Sequence, residues 1–132
     1  MAIQLETRSP TEGDLRFIHS SWHTSYWKTC MRKKMERSVY APTMDAYIDF
    51  ALDNHLNTVL VVFSPEVPDE VLGWICARSD LLYWLYVKGY ARRKGIASGL
   101  VNYLDLKFYA LDSDASGRKF AESVGLKFNP LY

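Results

Sequence analysis

The segment Tyr86-Val-Lys-Gly-Tyr-Ala-Arg-Arg-Lys-Gly-Ile-Ala-Ser98 decides how the rest of the chain is read. A strongly apolar run, Leu81 to Val87, ends in it. A basic loop with Gly89 and Gly95 follows, and a helical pattern opens near Lys94 and runs through Ile96, Leu100, Val101 and Leu104. A helix N-terminus presents unpaired backbone N–H groups and a partial positive charge, so it attracts anions. Gly95 lets a ligand approach the backbone, and small Ala97 keeps the next turn clear of bulk. Arg92, Arg93 and Lys94 add full charges. A charge-assisted hydrogen bond contributes roughly 1.5–3 kcal/mol, against about 0.3–1 kcal/mol for a helix dipole. The combination suits a diphosphate. The plainer reading is a solvated helix start in which Gly95 only makes a turn. Two other nucleotide motifs do not fit: no Gly-Lys-Ser/Thr closes a P-loop, and only one glycine of the dinucleotide fingerprint stands in place.

Working outward, three strand signals precede this loop. They are Thr58 to Phe63, Val71 to Ala77 and Leu81 to Val87, separated by Ser64-Pro65, Pro68-Asp69-Glu70 and Ser79-Asp80, and they read as an antiparallel meander. Near the N-terminus, Ala2 to Arg8 alternates like a half-buried strand, with Ile3 and Leu5 on one face. Thr11 and Asp14 resemble a capping box, opening a helix that carries Leu15, Ile18, Trp22 and Tyr26 at helical spacing. Lys28 to Arg37 is basic and irregular, and a second helix is predicted over Thr43 to Leu56. Downstream, Leu106 to Ala110 reads as a short strand, Asp114 to Val124 as a helix stopped by Gly125, and Leu126 to Phe128 as a terminal strand. The order predicts an α+β domain with a mixed sheet, spanning residues 1–132 as one unit.

Composition narrows the function. The chain has 132 residues, 16 lysines and arginines against 15 acids, and is 48% hydrophobic and 14% aromatic. It is too apolar for disorder, and a formal charge of +1 argues against a nucleic-acid binder, which would be strongly basic. The longest apolar runs are strand-length, far short of the about 20 residues of a membrane helix. Cys30 and Cys76 stand far apart with no ligand spacing around them, which predicts reduced thiols and no structural metal. With no signal-peptide pattern at Met1 to Arg8, a cytoplasmic location is expected.

Arg92-x-x-Gly95-x-Ala97, placed between a hydrophobic strand and a helix, resembles the acetyl-CoA signature of the GNAT N-acetyltransferases. The element order is similar to that family nearly throughout. Asp114-Ala-Ser-Gly117, then Phe120 and Val124-Gly-Leu126, is similar to the family's Asn-x-x-Ala…Leu-Tyr…Gly-Phe helix. The resemblance implies a mixed, mostly antiparallel central sheet flanked by helices on both faces. It also implies a C-terminally shortened member, since Leu126 to Tyr132 leaves no room for the customary last strand. An exposed sheet edge, or a homodimer covering it, is then expected. Acetyl-CoA is implied as co-substrate, with no metal. Arg92 and the backbone of Arg93, Lys94, Gly95, Ile96, Ala97 and Ser98 would hold its pyrophosphate, while Leu85, Tyr86 and Val87 would pair with the pantetheine arm. An amide there would polarise the thioester carbonyl, where charge builds during attack by an amine.

The chain departs from the family at three places. Ala121 stands where many relatives carry a tyrosine that protonates the leaving thiolate. Tyr109 stands where some carry a glutamate base; a phenol, ordinarily near pKa 10, is a poor base but can donate or relay a proton. Its plainer reading is an aromatic on a pleated surface. Asp114 replaces the asparagine, as a cofactor contact or a helix cap. Tyr83, Trp84 and Tyr86 read mainly as core packing, and His19 and His23, one turn apart, as half a metal site lacking a third ligand, hence as surface histidines. The basic run at Lys28, Arg32, Lys33, Lys34 and Arg37 reads by default as a solvated helix or loop, with an acidic protein partner or nucleic acid as alternatives. It would repel polycationic acceptors, which tilts the expectation toward a peptide or protein amine with acidic neighbours. The expected activity is acetyl transfer from CoA to a primary amine. The competing expectation is a catalytically weakened domain that binds CoA or a protein partner.

Overall fold

The computed structural model describes residues 5–92 and 94–131. Within them lie six strands and four α-helices: β1 (Glu6–Arg8), α1 (Glu12–Thr29), α2 (Arg37–Asp53), β2 (Thr58–Phe63), β3 (Gly73–Arg78), β4 (Leu81–Val87), α3 (Ile96–Tyr103), β5 (Phe108–Tyr109), α4 (Ala115–Ser123) and β6 (Lys127–Phe128). Single 3-10 turns occur at Met31–Lys33 and Gly89–Ala91. Ile3 and the start of the expected first strand lie outside the described residues.

The capping box at α1 forms as its spacing predicts. The Thr11 hydroxyl accepts from the Asp14 amide at 3.2 Å, and the Asp14 carboxylate accepts from the Thr11 amide at 2.9 Å. Arg8, at the end of β1, donates through Nη2 to the same carboxylate at 3.1 Å, so the cap also fastens the helix to the sheet edge. Burial alone would raise the Asp14 carboxyl. The Thr11 amide and the Arg8 guanidinium more than offset it and hold the group below its ordinary value.

α2 differs from its predicted start. It begins at Arg37 rather than Thr43 and carries Pro42 in its interior, where proline removes one backbone donor. Packing decides the outcome. Tyr40, buried to 2% exposure, donates its hydroxyl to the His23 carbonyl at 2.7 Å and holds the turn before Pro42 against α1. The helix ends at Asp53, where Asn57 donates its side-chain amide to the Ala51 carbonyl at 2.8 Å.

The sheet runs in the order β1-β2-β3-β4-β5-β6, antiparallel from β1 to β4 and parallel from β4 to β6. Successive side chains of a strand point to opposite faces. On β3, Trp74 and Cys76 join a core beneath α1 and α2 containing Ile18, Trp22 and Ile48, while Ile75 and Ala77 join a second core with Leu100, Val101 and Ala121 of α3 and α4. The helices therefore cover both faces, as the resemblance implies. Burying each large aliphatic side chain contributes about 1.5–3 kcal/mol. Trp74 is fully buried and donates its indole N–H to the Ser21 hydroxyl at 2.9 Å, so its polar atom is not stranded.

Candidate functional site

The pairing of β4 breaks down in a way that opens the sheet. Its register with β3 slips between Cys76 and Ala77, because Cys76 faces Trp84 and Ala77 faces Leu82, leaving Tyr83 as the extra residue of a bulge. As a result Tyr83 and Trp84 both pack into the core beneath α1 and α2. On the other side, β5 pairs with β4 only at Leu81 and Leu82, with a last hydrogen bond from the Ala110 amide to the Leu82 carbonyl at 3.0 Å. Beyond Leu82 no described strand covers that edge of β4.

Alternation along β4 settles which backbone groups face the opening. The Lys88 amide donates to Leu72 beside β3, and the Arg92 Nε donates to the Val87 carbonyl from the opposite side at 3.1 Å. The peptide groups of Leu85 and Val87 therefore point into the cleft. Those of Tyr86 point to Trp74 of β3, and its ring lies edge-on to Phe17. An uncovered strand edge is a template for an extended chain with amides of its own.

At the end of β4 the cleft runs into a groove of about 560 Å³ lined by Val87, Arg92, Gly95, Ile96, Ala97 and Ser98, with Ser116 and Phe120 of α4 opposite. Gly95 adopts φ +78°, a left-handed conformation that side chains resist, and it sits at the N-cap of α3. The unpaired amides that open α3 lie behind it. Arg92 is anchored through Nε, leaving its other nitrogens exposed beside the groove. Lys94 is exposed in the same loop, and Arg93 lies outside the described residues.

A smaller cavity of about 100 Å³ occupies the angle between β4 and β5. Leu82, Leu85, Tyr109, Ser113, Gly117 and Ala121 line it, and Phe120 borders both spaces. The half-buried Tyr109 stacks near Phe128, with ring centroids 5.2 Å apart. Ala121 brings no polar atom to the wall. Asp114 lines neither space; its carboxylate accepts from the Gly117 amide at 2.8 Å and caps α4. The structure thus places Leu85 and Tyr109 in the smaller cavity and Val87, Arg92, Gly95, Ile96, Ala97 and Ser98 in the groove, with Phe120 bordering both, and sets Asp114 and the Tyr86 side chain aside.

Sequence reasoning missed the Asp112–Arg118 pair. Arg118 donates through Nε at 3.0 Å and Nη2 at 3.2 Å to the two oxygens of Asp112, bridging the loop before α4 and its first turn. Arg118 thereby holds the Asp112 carboxyl below its ordinary value; burial opposes this and the Ser113 amide assists it. The only sequence signal is an acid and an arginine six residues apart across a helix start. His19 and His23 also gain partners. His19 Nε2 lies 3.3 Å from Asp49 and 3.7 Å from Asp45, and His23 Nε2 lies 3.5 Å from Asp45, so the four groups tie α1 to α2. Among the described residues no three such side chains are arranged to hold a metal ion. No described helix is long and apolar enough to cross a membrane.

No protein-family model and no curated protein matches the sequence. The three-dimensional structure does find relatives. YycN of Bacillus subtilis, provisionally described as an acetyltransferase, aligns with TM-score 0.71 at 14% identity over 92% of this chain and 91% of its own. A protein of Pyrococcus furiosus with the same provisional description aligns with TM-score 0.69 at 19% identity over 98% and 97%. Spermidine N-acetyltransferase of Vibrio cholerae, in complex with CoA and spermine, aligns with TM-score 0.54 at 18% identity over 90% and 76%. The chain accordingly has the GNAT-type acetyltransferase fold, a mixed six-stranded sheet between two pairs of helices.

Proposed function

We propose that the protein is an acetyl-CoA-dependent N-acetyltransferase acting on a primary amine of a protein or peptide. One observation carries the reading: the edge of β4 left uncovered beyond Leu82 lines, through Leu85 and Val87, a small cavity and the groove floored by Gly95 to Ser98, and Phe120 borders both. A pantetheine arm needs an extended partner with free amides, and a diphosphate needs helix-terminal N–H groups with cations nearby. Both stand at the end of β4, on either side of Phe120.

The residues divide the work as follows. The amides of Ile96, Ala97 and Ser98, with Arg92 and Lys94, bind the phosphates. Leu85 and Val87 orient the arm by strand-like pairing, and an amide of this edge stabilises negative charge on the carbonyl oxygen. Apolar Leu82, Leu85, Phe120 and Ala121 exclude water from the reacting centre. Little more is required of the protein than a neutral amine held against the carbonyl. Tyr109, one of two phenols in the cavity wall with Tyr83, handles the proton released on transfer.

Calorimetry with acetyl-CoA and CoA tests the reading. Saturable binding is expected. Arg92→Glu with Gly95→Glu abolishes it while the circular-dichroism spectrum is preserved. Arg92→Glu with Lys94→Glu, which spares the left-handed glycine, weakens it at least tenfold. Absence of binding by the unaltered protein overturns the assignment.

A further inference from the structure

The cleft has two faces. One is lined by α3 and α4 and carries the phosphate groove; a planar carbonyl held from that side is open to attack from the other, toward α1. The mouth on that other side is formed where the chain leaves β5. Leu111 turns into the core beneath α1 and α2, and Asp112 follows it. Trp84, which lines the small cavity together with Leu111, donates its indole N–H to the Ser25 hydroxyl at 2.9 Å and packs edge-on against Tyr26 at 5.2 Å, so the last turns of α1 stand at this mouth. The wall running from α1 into α2 carries Lys28, Arg32, Lys33, Lys34 and Arg37, against the single acid Glu36. All six are exposed. Arg118 is exposed as well, its guanidinium held from one edge by Asp112, whose neighbour Leu111 packs in the same core as Tyr26, Trp27 and Met31.

Arg118 is the element that sequence reasoning could not supply. Asp112 engages its Nε and one terminal nitrogen, which fixes the plane of the group and leaves the other terminal nitrogen without a carboxylate. A guanidinium oriented in this way is prepared for a second carboxylate at little further loss of side-chain freedom. Of the nearby acids, Asp112 is engaged by Arg118, Asp114 caps α4, and Asp45 and Asp49 face His19 and His23, which leaves Glu36 as the one acid within the wall. Cations spread over a ten-residue wall, with one more at Arg118, match several carboxylates along an extended chain better than one small acid.

We propose that the acceptor is an acidic peptide segment, whose amine enters between the wall at Lys28–Arg37 and the Asp112-held Arg118 while its flanking carboxylates pair with these cations. This rests on the transferase reading and sharpens its acceptor. It also separates the chain from the spermidine N-acetyltransferase that shares its fold, since a polyamine would meet like charge at this mouth.

The test uses the unaltered protein with acetyl-CoA and three peptides of one length, each with a single lysine flanked by Glu/Asp, by Gln/Asn or by Arg, together with spermidine. Acetylated product is measured by mass spectrometry. The acidic peptide is expected to exceed the neutral one at least tenfold in kcat/KM, mostly through KM, with the gap shrinking as salt rises from about 0.05 to 0.5 M. Arg118→Gln should raise KM for the acidic peptide about fivefold or more without moving the acetyl-CoA Kd. In parallel, anisotropy of the labelled acidic peptide reads docking without acetyl-CoA. If acetyl-CoA fails to bind but the acidic peptide docks and Arg118→Gln weakens it, the transferase reading falls and the acidic partner stands. If acetyl-CoA binds and the neutral peptide or spermidine is used as well as the acidic one, the acidic acceptor is overturned.

Discussion

Tyr109 shows how much one side chain depends on its surroundings for its meaning. In the sequence it alternates on a short apolar run, and a packing role is as good a reading as a chemical one. In the fold it stands in the wall of the cavity between β4 and β5, opposite Leu85 and near the alanine that brings no proton donor. Its ring packs against Phe128, so Tyr109→Phe keeps the packing and removes only the hydroxyl. If that hydroxyl manages the proton, kcat falls about tenfold or more with acetyl-CoA affinity unchanged. Steady-state kinetics beside calorimetry checks this, and an unchanged kcat assigns the proton to solvent. Arg118 carries the opposite lesson, because the helix around it was legible while only an acid six residues earlier hinted at its own partner. Its place follows from the loop after β5, where Leu111 packs into the core beneath α1 and α2 and sets Asp112 beside the first turn of α4, a tertiary arrangement that local pattern does not encode.

At the scale of elements, the two ends of a helix were not equally legible. α1 begins where Thr11 and Asp14 predict, because a capping box is a local hydrogen-bond pattern written in two residues. α2 begins six residues early, because the burial of Tyr40 against α1 overrides what Pro42 signals locally. The meander was legible almost residue by residue: β2 and β4 have their expected limits, and β3 shifts only from Val71–Ala77 to Gly73–Arg78. The slip opposite Tyr83 was not, since apolar Leu81 to Val87 reads the same with or without a bulge. The α1 cap also carries a stability prediction. Asp14→Asn removes the charge that Arg8 and the Thr11 amide share and should destabilise the fold by about 1–3 kcal/mol in urea unfolding. The folded Asp14 carboxyl lies below its ordinary 3.8, so its contribution is complete above that value and is lost as pH falls through the lower, folded one. The variant should therefore lack part of the acid-side slope of stability seen in the unaltered protein.

For the molecule as a whole, the sheet divides the interior into two cores, and residues of both line the small cavity beside β4. Aromatic rings from α1, α2, β3 and β4 fill one side, and aliphatic side chains with α3 and α4 fill the other. The proposed cleft is walled by both β4 and α4 and by the loop that opens α3. The fold class was readable because the order of strands and helices is local information repeated along the chain. The divergence of β4 from β5 depends instead on where α4 packs and where Leu111 turns inward. The gap beyond Leu82 has one more consequence, in the exchange of amide hydrogens with solvent. Among the protected amides of a strand buried on both faces, those of Leu85 and Val87 should trade for deuterium early, within the window in which Tyr86 stays protected. Saturating CoA should slow these two and leave Tyr86 almost unchanged, so two residues of one strand would time the filling of the cleft.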